Sequence, residues 1–287
     1  MPSFLPRPII SECMFKAAYF GLPGAYSEQA SIKYFGSSIG LKECGFLTEV
    51  FESVGVDSEF GVVPIENSIE GAVTQTYDLL LGSELSIVGE VIVGISHCLM
   101  AVKGVNLVQV KDVYSHPQAL GQCRAFLEAH KLNSIPFYDT AGSAKMLKEK
   151  GLRNAAAIAS ARAAKVYGMN VLADGIQSNR HNYTRFLIIS NGSSAHSPDK
   201  TTIAFSAKDK PGSLFRALNA FADNKVNLLY IQSRPIPGAP WEYNFYVDCN
   251  GSINDKRVRR AIATLYDNSD FVKVLGSYKR ARFDKNV

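Results

Sequence analysis

From about residue 16 to 190, short apolar runs alternate with segments of helical period, and beyond residue 200 the pattern changes. Ala17 to Phe20 reads as a strand that ends at the turn Gly21-Leu22-Pro23-Gly24, and a helix follows with Ser27 as its N-cap. Phe60 to Ile65, one or two segments within Leu85 to Val102, Val110 to Ser115 and Arg185 to Ser190 read as further strands. Pro117 to His130, Thr140 to Lys150 and Ser160 to Tyr167 read as helices. Strands interleaved with helices predict α/β layers with mainly parallel pairing. Asn191 to Pro198 is small, polar and aperiodic, which predicts a linker. After it, Thr201 to Ala207 alternates as a strand, and Ser213 to Asn224 places Leu214, Leu218, Phe221 and Ala222 on one helical face. Asn227 to Ile236 and Trp241 to Asp248 read as strands, Asp255 to Asp267 as a helix with Val258, Ile262 and Leu265 inward, and Phe271 to Ser277 as a last strand. The order β-α-β-β-α-β predicts an α+β unit of ferredoxin-like type, one antiparallel sheet with two helices on one face.

Composition sharpens this picture in a few respects. A chain of 287 residues is long enough for two or three cores, and 46% hydrophobic with 20% charged residues is globular, not disordered. The net charge of +5 hints at an acidic partner, but the basic residues are dispersed and the one local cluster is the tail from Lys279 to Lys285. Nucleic-acid binding calls for a basic stripe with interleaved aromatics, so no nucleic acid is expected. Cys13, Cys44, Cys98, Cys123 and Cys249 form no C-x-x-C pair, so neither a metal site nor a disulfide framework is expected, and the thiols read as small buried apolar residues of a reducing compartment. Met1 to Ile10 lacks a signal-peptide core, and Leu85 to Val102 is interrupted by Glu90 and His97. No membrane association is expected, and the expected location is the cytoplasm.

Candidate chemistry lies at strand ends, where open α/β sheets place their ligands. Val62-Val63-Pro64-Ile65-Glu66-Asn67-Ser68 turns from apolar strand to polar loop, and Tyr114-Ser115-His116-Pro117-Gln118 does the same before a helix. The first pattern equally fits a plain helix cap, and a lone histidine such as His116 is more often structural. Gly21-x-x-Gly24-x-x-Ser27 allows close backbone approach to a carboxylate at a helix start, although glycine turns are common. Asn182-Tyr183-Thr184-Arg185-Phe186 combines a hydroxyl donor, a guanidinium and an aromatic ring at a loop-to-strand junction. An ordinary strand start with an exposed arginine would look the same.

Those four motifs, in this order and spacing, resemble prephenate dehydratases, and the resemblance runs from about residue 16 to 279. Asp209-Lys210-Pro211-Gly212-Ser213-Leu214 and Ser233-Arg234-Pro235 resemble an ACT domain, a module that binds amino acids. The resemblance implies a catalytic domain over 1–192 similar to type II periplasmic binding proteins. One lobe would span about 1–103 with 175–192 and the other 104–174, followed by a linker at 193–200, an ACT domain at 201–279 and a basic tail at 280–287. It implies decarboxylative dehydration of prephenate to phenylpyruvate in phenylalanine biosynthesis, without cofactor. Thr184 would serve the leaving hydroxyl, Arg185 would clamp a carboxylate on the pyruvyl side, Asn67, Ser27 and Gln118 would orient the ring, and Phe186 would exclude water. Glu66, Ser68, Ser115, His116, Asp139 and Thr140 complete the expected substrate-binding set, with Asp139 to Gly142 placed to sense a keto against an ammonium group. The alternative substrate is arogenate, the amino analogue. An alternative from another class is a non-catalytic small-molecule sensor on the same two-lobed fold. Phenylalanine is the implied effector, held by Pro211, Gly212, Ser213, Leu214, Asn227, Ser233 and Arg234 in a homodimer or homotetramer. Gln232 stands where glutamate usually precedes Ser-Arg-Pro, and Ser213 where alanine usually follows Pro-Gly.

Overall fold

In a computed structural model, residues 15–192, 197–207, 210–236 and 238–283 are described. Cys13, Asp209, part of the expected linker (193–196) and the end of the basic tail (284–287) lie outside them.

Three sheets organise the chain. The first is laid down by β1 (Phe15–Phe20), α1 (Tyr26–Phe35), β2 (Leu41–Cys44), α2 (Leu47–Ser53), β3 (Ser58–Asn67), β4 (Gly71–Ala72), α3 (Thr74–Gly82) and β5 (Ser86–Gly94). The second comprises β6 (Cys98–Ala101), β7 (Asp112–Ser115), α4 (Pro117–Gln122), α5 (Arg124–Ala129), β8 (Asn133–Pro136), α6 (Thr140–Lys150), β9 (Ala155–Ala159), α7 (Ala161–Tyr167) and β10 (Asn170–Ala173). The chain then returns to the first sheet as β11 (Tyr183–Ser190), giving the orders β2-β1-β3-β11-β5 and β10-β6-β9-β7-β8. The pairing is less uniformly parallel than the sequence pattern predicts. β1 pairs in parallel with β2 and β3, but the returning β11 is antiparallel to both of its neighbours, and β6 is antiparallel to β9 and β10.

The lobes are joined by residues 95–97 and 174–182, and the two crossings bond each other, Ile95 N–H to Asn182 O at 2.8 Å and Ile176 N–H to His97 O at 3.1 Å. The first crossing therefore precedes the expected position near 103, because β6 pairs into the second sheet. The helix expected over Pro117 to His130 is interrupted at Cys123 into α4 and α5. Away from the crossings the lobes also touch: Arg162 of α7 makes a bidentate pair with Glu28 of α1 at 2.6 and 2.7 Å, and Ser160 Oγ donates to Gly24 O at 2.6 Å. Gly24 has φ +92°, and a Cβ there would lie 2.6 Å from Ala163 Cα. Its bareness thus serves the contact between lobes.

β12 (Lys200–Ala207), α8 (Ser213–Asp223), β13 (Leu228–Ile236), β14 (Ala239–Asn250), α9 (Lys256–Asn268) and β15 (Ser269–Tyr278) form the third, antiparallel sheet in the order β13-β14-β12-β15. Alternation along its strands sends Ile203, Phe205, Val247 and Cys249 into a core with Phe221, Val258 and Leu265 of the two helices. Ala204, Tyr246, Leu275 and Tyr278 leave by the other face and join Leu80, Leu85, Ile87 and Leu187 of the first lobe in one apolar core. Both faces of β12 are covered, so this unit is docked and not merely tethered. The closest approach is at Gly276, where a Cβ would lie 2.2 Å from Ile87 O. Gly276→Val is expected to lower stability by about 1–3 kcal/mol or more, read by denaturant unfolding. Cys44, Cys98, Cys123 and Cys249 are free and buried. Among the described residues no helix is long and apolar enough to cross a membrane.

Candidate active site

A cleft of about 430 Å³ opens between the lobes and gathers Ser27, Asn67, His116, Gln118, Asp139, Thr140, Thr184 and Phe186 from the expected set. The lining elements explain the convergence. Asn67 ends β3, Thr184 and Phe186 lie on β11, and the N-terminal ends of α1, α3, α4 and α6 all face the space. Phe186, 2% exposed, sits beneath the cleft among Val62, Val91 and Ile188.

Four expected residues are elsewhere. β11 alternates, so Thr184 and Phe186 face the cleft while Arg185, between them, points to the opposite side. Arg185 is no clamp for a ligand in the cleft, because its guanidinium is held by Glu66, Glu90 and Asp248. Glu66 is displaced by a bulge. The register runs Asn67↔Thr184, Glu66↔Arg185, then Pro64↔Phe186, which leaves Ile65 as the extra residue of β3. Pro64 and Asn67 therefore line the cleft, whereas Ile65 and Glu66 both face away. Strict alternation would have exchanged Glu66 and Asn67. Ser68 closes the end of the β3–β11 ladder, its Oγ accepting from Tyr183 N–H at 2.9 Å. Ser115 is fully buried and donates to Ile158 O at 2.6 Å, which fixes β7 to β9 and leaves nothing for a ligand.

Ser27 reaches the cleft from within α1. It is not the N-cap, which is Ala25, and no side chain caps that helix. The N-cap of α3 is Val73, likewise without a side-chain cap. Two helix N-termini thus present open N–H groups to the cleft, where they carry partial positive charge. α6 differs, since Asp139 caps it by accepting from Gly142 N–H at 2.9 Å. Burial pushes the Asp139 carboxyl above its ordinary pKa, opposed by backbone N–H groups of α6 and by His116. His116 caps α4, its Nδ1 accepting from Gln118 N–H at 3.3 Å. Among the described residues, no lysine or arginine lines the cleft.

One chain of hydrogen bonds sets the polarity of the whole site. Asn67 Oδ1 accepts from the backbone N–H groups of Ile69 and Glu70, both at 3.0 Å. Its Nδ2 must therefore be the donor to Asn182 Oδ1 at 2.7 Å and Thr184 Oγ1 at 2.9 Å. Asn182 Nδ2 is then obliged to donate to Gln122 Oε1 at 2.9 Å, and Gln122 Nε2 to Glu70 Oε1 at 3.2 Å. With Gln122 Oε1 an acceptor, His97 Nε2 at 3.0 Å carries the proton, while Tyr26 OH, 3.2 Å from His97 Nδ1, donates its one proton to Ser96 O at 2.6 Å. Burial lowers the pKa of His97, consistent with a neutral ring. The result at the centre is specific. Thr184 Oγ1 accepts from Asn67, so its own O–H remains to donate into the cleft.

Tyr26, His97, Gln122 and Asn182 were not singled out for this role. Gln122 had a readable signal, lying one helical turn after Gln118 on a helix that starts at the cleft. Asn182 stands at the head of the run that leads into β11, whereas His97 had no signal, since it sits on a crossing between lobes. Gln122→Leu would strand Asn182 Nδ2 and His97 Nε2–H. It is expected to cost about 1–3 kcal/mol in a denaturation experiment and to lower kcat through the loosened Asn67.

The expected effector residues are distributed over the third unit. Pro211 and Gly212 are exposed, and Gly212 caps α8 with φ +80° and no side-chain bond. Ser213 is buried and accepts from Arg216 Nη2 at 3.1 Å. Leu214 packs against the helix-side core, and Asn227 is exposed, its carbonyl accepting from Asn250 N–H at 2.9 Å. Ser233 lies exposed on β13, the edge strand, and Arg234 is committed to Asp78 of α3 at 2.6 Å.

Comparison with known proteins gives a consistent picture. A family model described as prephenate dehydratase matches residues 17–194, and one described as ACT domain matches 201–265. The chain is 39% identical to a bifunctional chorismate mutase/prephenate dehydratase of Aquifex aeolicus, over 96% of this chain and 78% of that protein. It is 40% identical to arogenate dehydratase 2 of Petunia hybrida, over 96% and 77%. The structure of a prephenate dehydratase from Arthrobacter aurescens in complex with L-Phe is 35% identical, with a TM-score of 0.84 covering 92% of this chain and 90% of that one.

Proposed function

This chain belongs to the prephenate dehydratase family, and from that premise we propose that its cleft binds prephenate and expels the ring hydroxyl and ring carboxylate, giving phenylpyruvate, carbon dioxide and water. The observation that carries this reading is Thr184, a 9% exposed residue lining the cleft, whose hydroxyl oxygen accepts from Asn67 and whose proton is left to donate.

Prephenate is a dianion, and a lining without lysine or arginine among the described residues suits its chemistry. The open N-termini of α1 and α3 supply partial positive charge for carboxylates without the full charge of a lysine or arginine. A strongly paired ring carboxylate would hold its electrons and resist leaving as carbon dioxide. As that carbon–carbon bond breaks, its electron pair moves into the ring and the carbon–oxygen bond opposite breaks. The departing oxygen takes up negative charge, and the Thr184 O–H stabilises it. Solvent protonates the released hydroxide, so one proton is consumed and the atoms balance. Thr184 acts as a hydrogen-bond donor and not as a full acid, because Asn67, an amide, cannot return a lost proton. Phe186 below gives the cleft an apolar floor where aromaticity develops. The four buried free thiols accord with a reducing, cytoplasmic setting.

The test is formation of ultraviolet-absorbing phenylpyruvate from prephenate by the purified chain. Binding without turnover would contradict the reading. Arogenate is the second reading, favoured by the Petunia relative and by two carboxylates at the cleft, Glu70 and Asp139, that could receive an ammonium group. Comparing kcat/KM for the two substrates decides between them.

Phenylalanine is the effector in this proposal. The Arthrobacter relative was crystallised with it, and the bare, exposed Gly212 at the start of α8 admits a carboxylate to free N–H groups. A second copy would complete the site across the unpaired edge of β13, near which Ile231 and Trp241 are exposed. Phenylalanine is expected to inhibit the wild type, and Gly212→Val to abolish that inhibition. A flat titration of activity against phenylalanine would remove the regulatory half only.

A further inference from the structure

Thr184↔Asn67 and Arg185↔Glu66 are successive cross-strand pairs of β11 and β3. The first pair faces the cleft, and the second faces the third sheet. There Arg185 lies 2.6 Å from Asp248, 3.3 Å from Glu90 and 3.1 Å from Glu66. Lys200 lies 2.8 Å from Glu90 and 2.9 Å from Asp248. Lys200 starts β12 and Asp248 belongs to β14, so two of the cluster's five residues come from the ACT-like unit and three, Glu66, Glu90 and Arg185, from the catalytic lobe. The side chains of Glu90, Asp248 and Lys200 are 2%, 4% and 5% exposed. Asp248 is pinned further, since its Oδ1 accepts from Thr202 at 2.7 Å and Thr202 meets Tyr278 OH at 2.8 Å.

Buried ion clusters contribute little net stability compared with apolar packing of the same volume. The shared apolar core around Ile87, Tyr246 and Leu275 already joins the two units. What the cluster adds is direction, because charged hydrogen bonds fix distances that apolar contacts leave free to slide.

We infer that this cluster is the joint through which the ACT-like unit positions Thr184: Asp248 holds Arg185, Lys200 braces Asp248 and Glu90, and Arg185 holds the segment of β11 whose preceding residue, Thr184, faces the substrate. Displacing β12 and β14 then moves Thr184 relative to Asn67 without any effector contact in the cleft. Arg185, Glu66, Asp248 and Lys200 are positioning residues. Only the phenylalanine arm of the test rests on the proposed effector.

The variant is Asp248→Asn in the full chain. It keeps the shape, and it leaves two cations facing two carboxylates where the wild type has two facing three, so the fold is retained. Without ligand, amides of β11 and β3 near Thr184 and Asn67 should exchange with deuterium about tenfold faster, while those of β7 and β9 stay as in the wild type. Phenylalanine should still bind in calorimetry, yet its inhibition midpoint should rise about tenfold or more, within the usual range of coupling between sites. Unchanged exchange in β11 together with an unchanged inhibition midpoint would overturn the joint. If the wild type itself binds no phenylalanine, the effector reading falls and the ligand-free exchange decides the joint alone. Glu66→Gln, at a side chain 33% exposed, carries the same comparison if Asp248→Asn fails to fold.

Discussion

Thr184→Val is expected to lower kcat by about 10²–10³-fold with little change in KM or in thermal stability. Valine keeps the shape and removes only the hydroxyl. Asn67 Nδ2 retains Asn182 Oδ1 at 2.7 Å as a partner, so no buried donor is stranded and the fold should be indifferent. Thr184→Ser keeps the donor and should recover most of the rate. Steady-state kinetics with prephenate and a melting curve check both halves. A fall in kcat matched by a collapse in stability would assign Thr184 a structural role instead.

The neighbouring residue should behave in the opposite way. Arg185→Leu removes the cation that faces Glu66, Glu90 and Asp248, leaving Lys200 alone against three buried or half-buried carboxylates. Breaking a buried pair from one side costs about 3–5 kcal/mol. Burial alone would push the Asp248 carboxyl up, and Arg185 with Lys200 holds it below its ordinary value. Without Arg185 that carboxyl should titrate at higher pH. Because a depressed carboxyl pKa stabilises the fold above its unfolded pKa, the wild type should lose this contribution as pH falls into the acid range, and Arg185→Leu should lack it throughout. Denaturant unfolding at neutral and acid pH measures the effect. A variant as stable as the wild type would show that the cluster contributes nothing to holding the domains.

These adjacent positions also show where sequence reading stops. The run Asn182 to Phe186 announces a site, but consecutive residues of a strand cannot all face one cleft. Period two already separates Thr184 from Arg185 once the run is recognised as β11. Glu66 is harder, because its direction depends on a bulge that one sequence does not display. The third unit was legible because its strands alternate and its helices carry clear apolar faces. β9 was not, since Ala155-Ala156-Ala157-Ile158-Ala159 carries a single branched residue and none of the aromatics that mark strands. It is a central strand because small side chains let α6 and α7 pack close, with Ala141, Ala144, Ala163 and Ala164 against it. Short helices such as α2 and α3 escaped for want of a cap signal, and the absent cap on α3 is what leaves its N–H groups open to the cleft. In the proposed reading the carboxylate-binding charge expected from an arginine comes from backbone, which residue type cannot reveal.

The most direct test is a crystal structure of the chain with a ring-saturated analogue of prephenate that cannot aromatise. The account predicts the ring hydroxyl about 3 Å from Thr184 Oγ1, with the carboxylates at the starts of α1 and α3. An analogue bound with that hydroxyl turned away from Thr184, or with its carboxylates on Arg185, would contradict it.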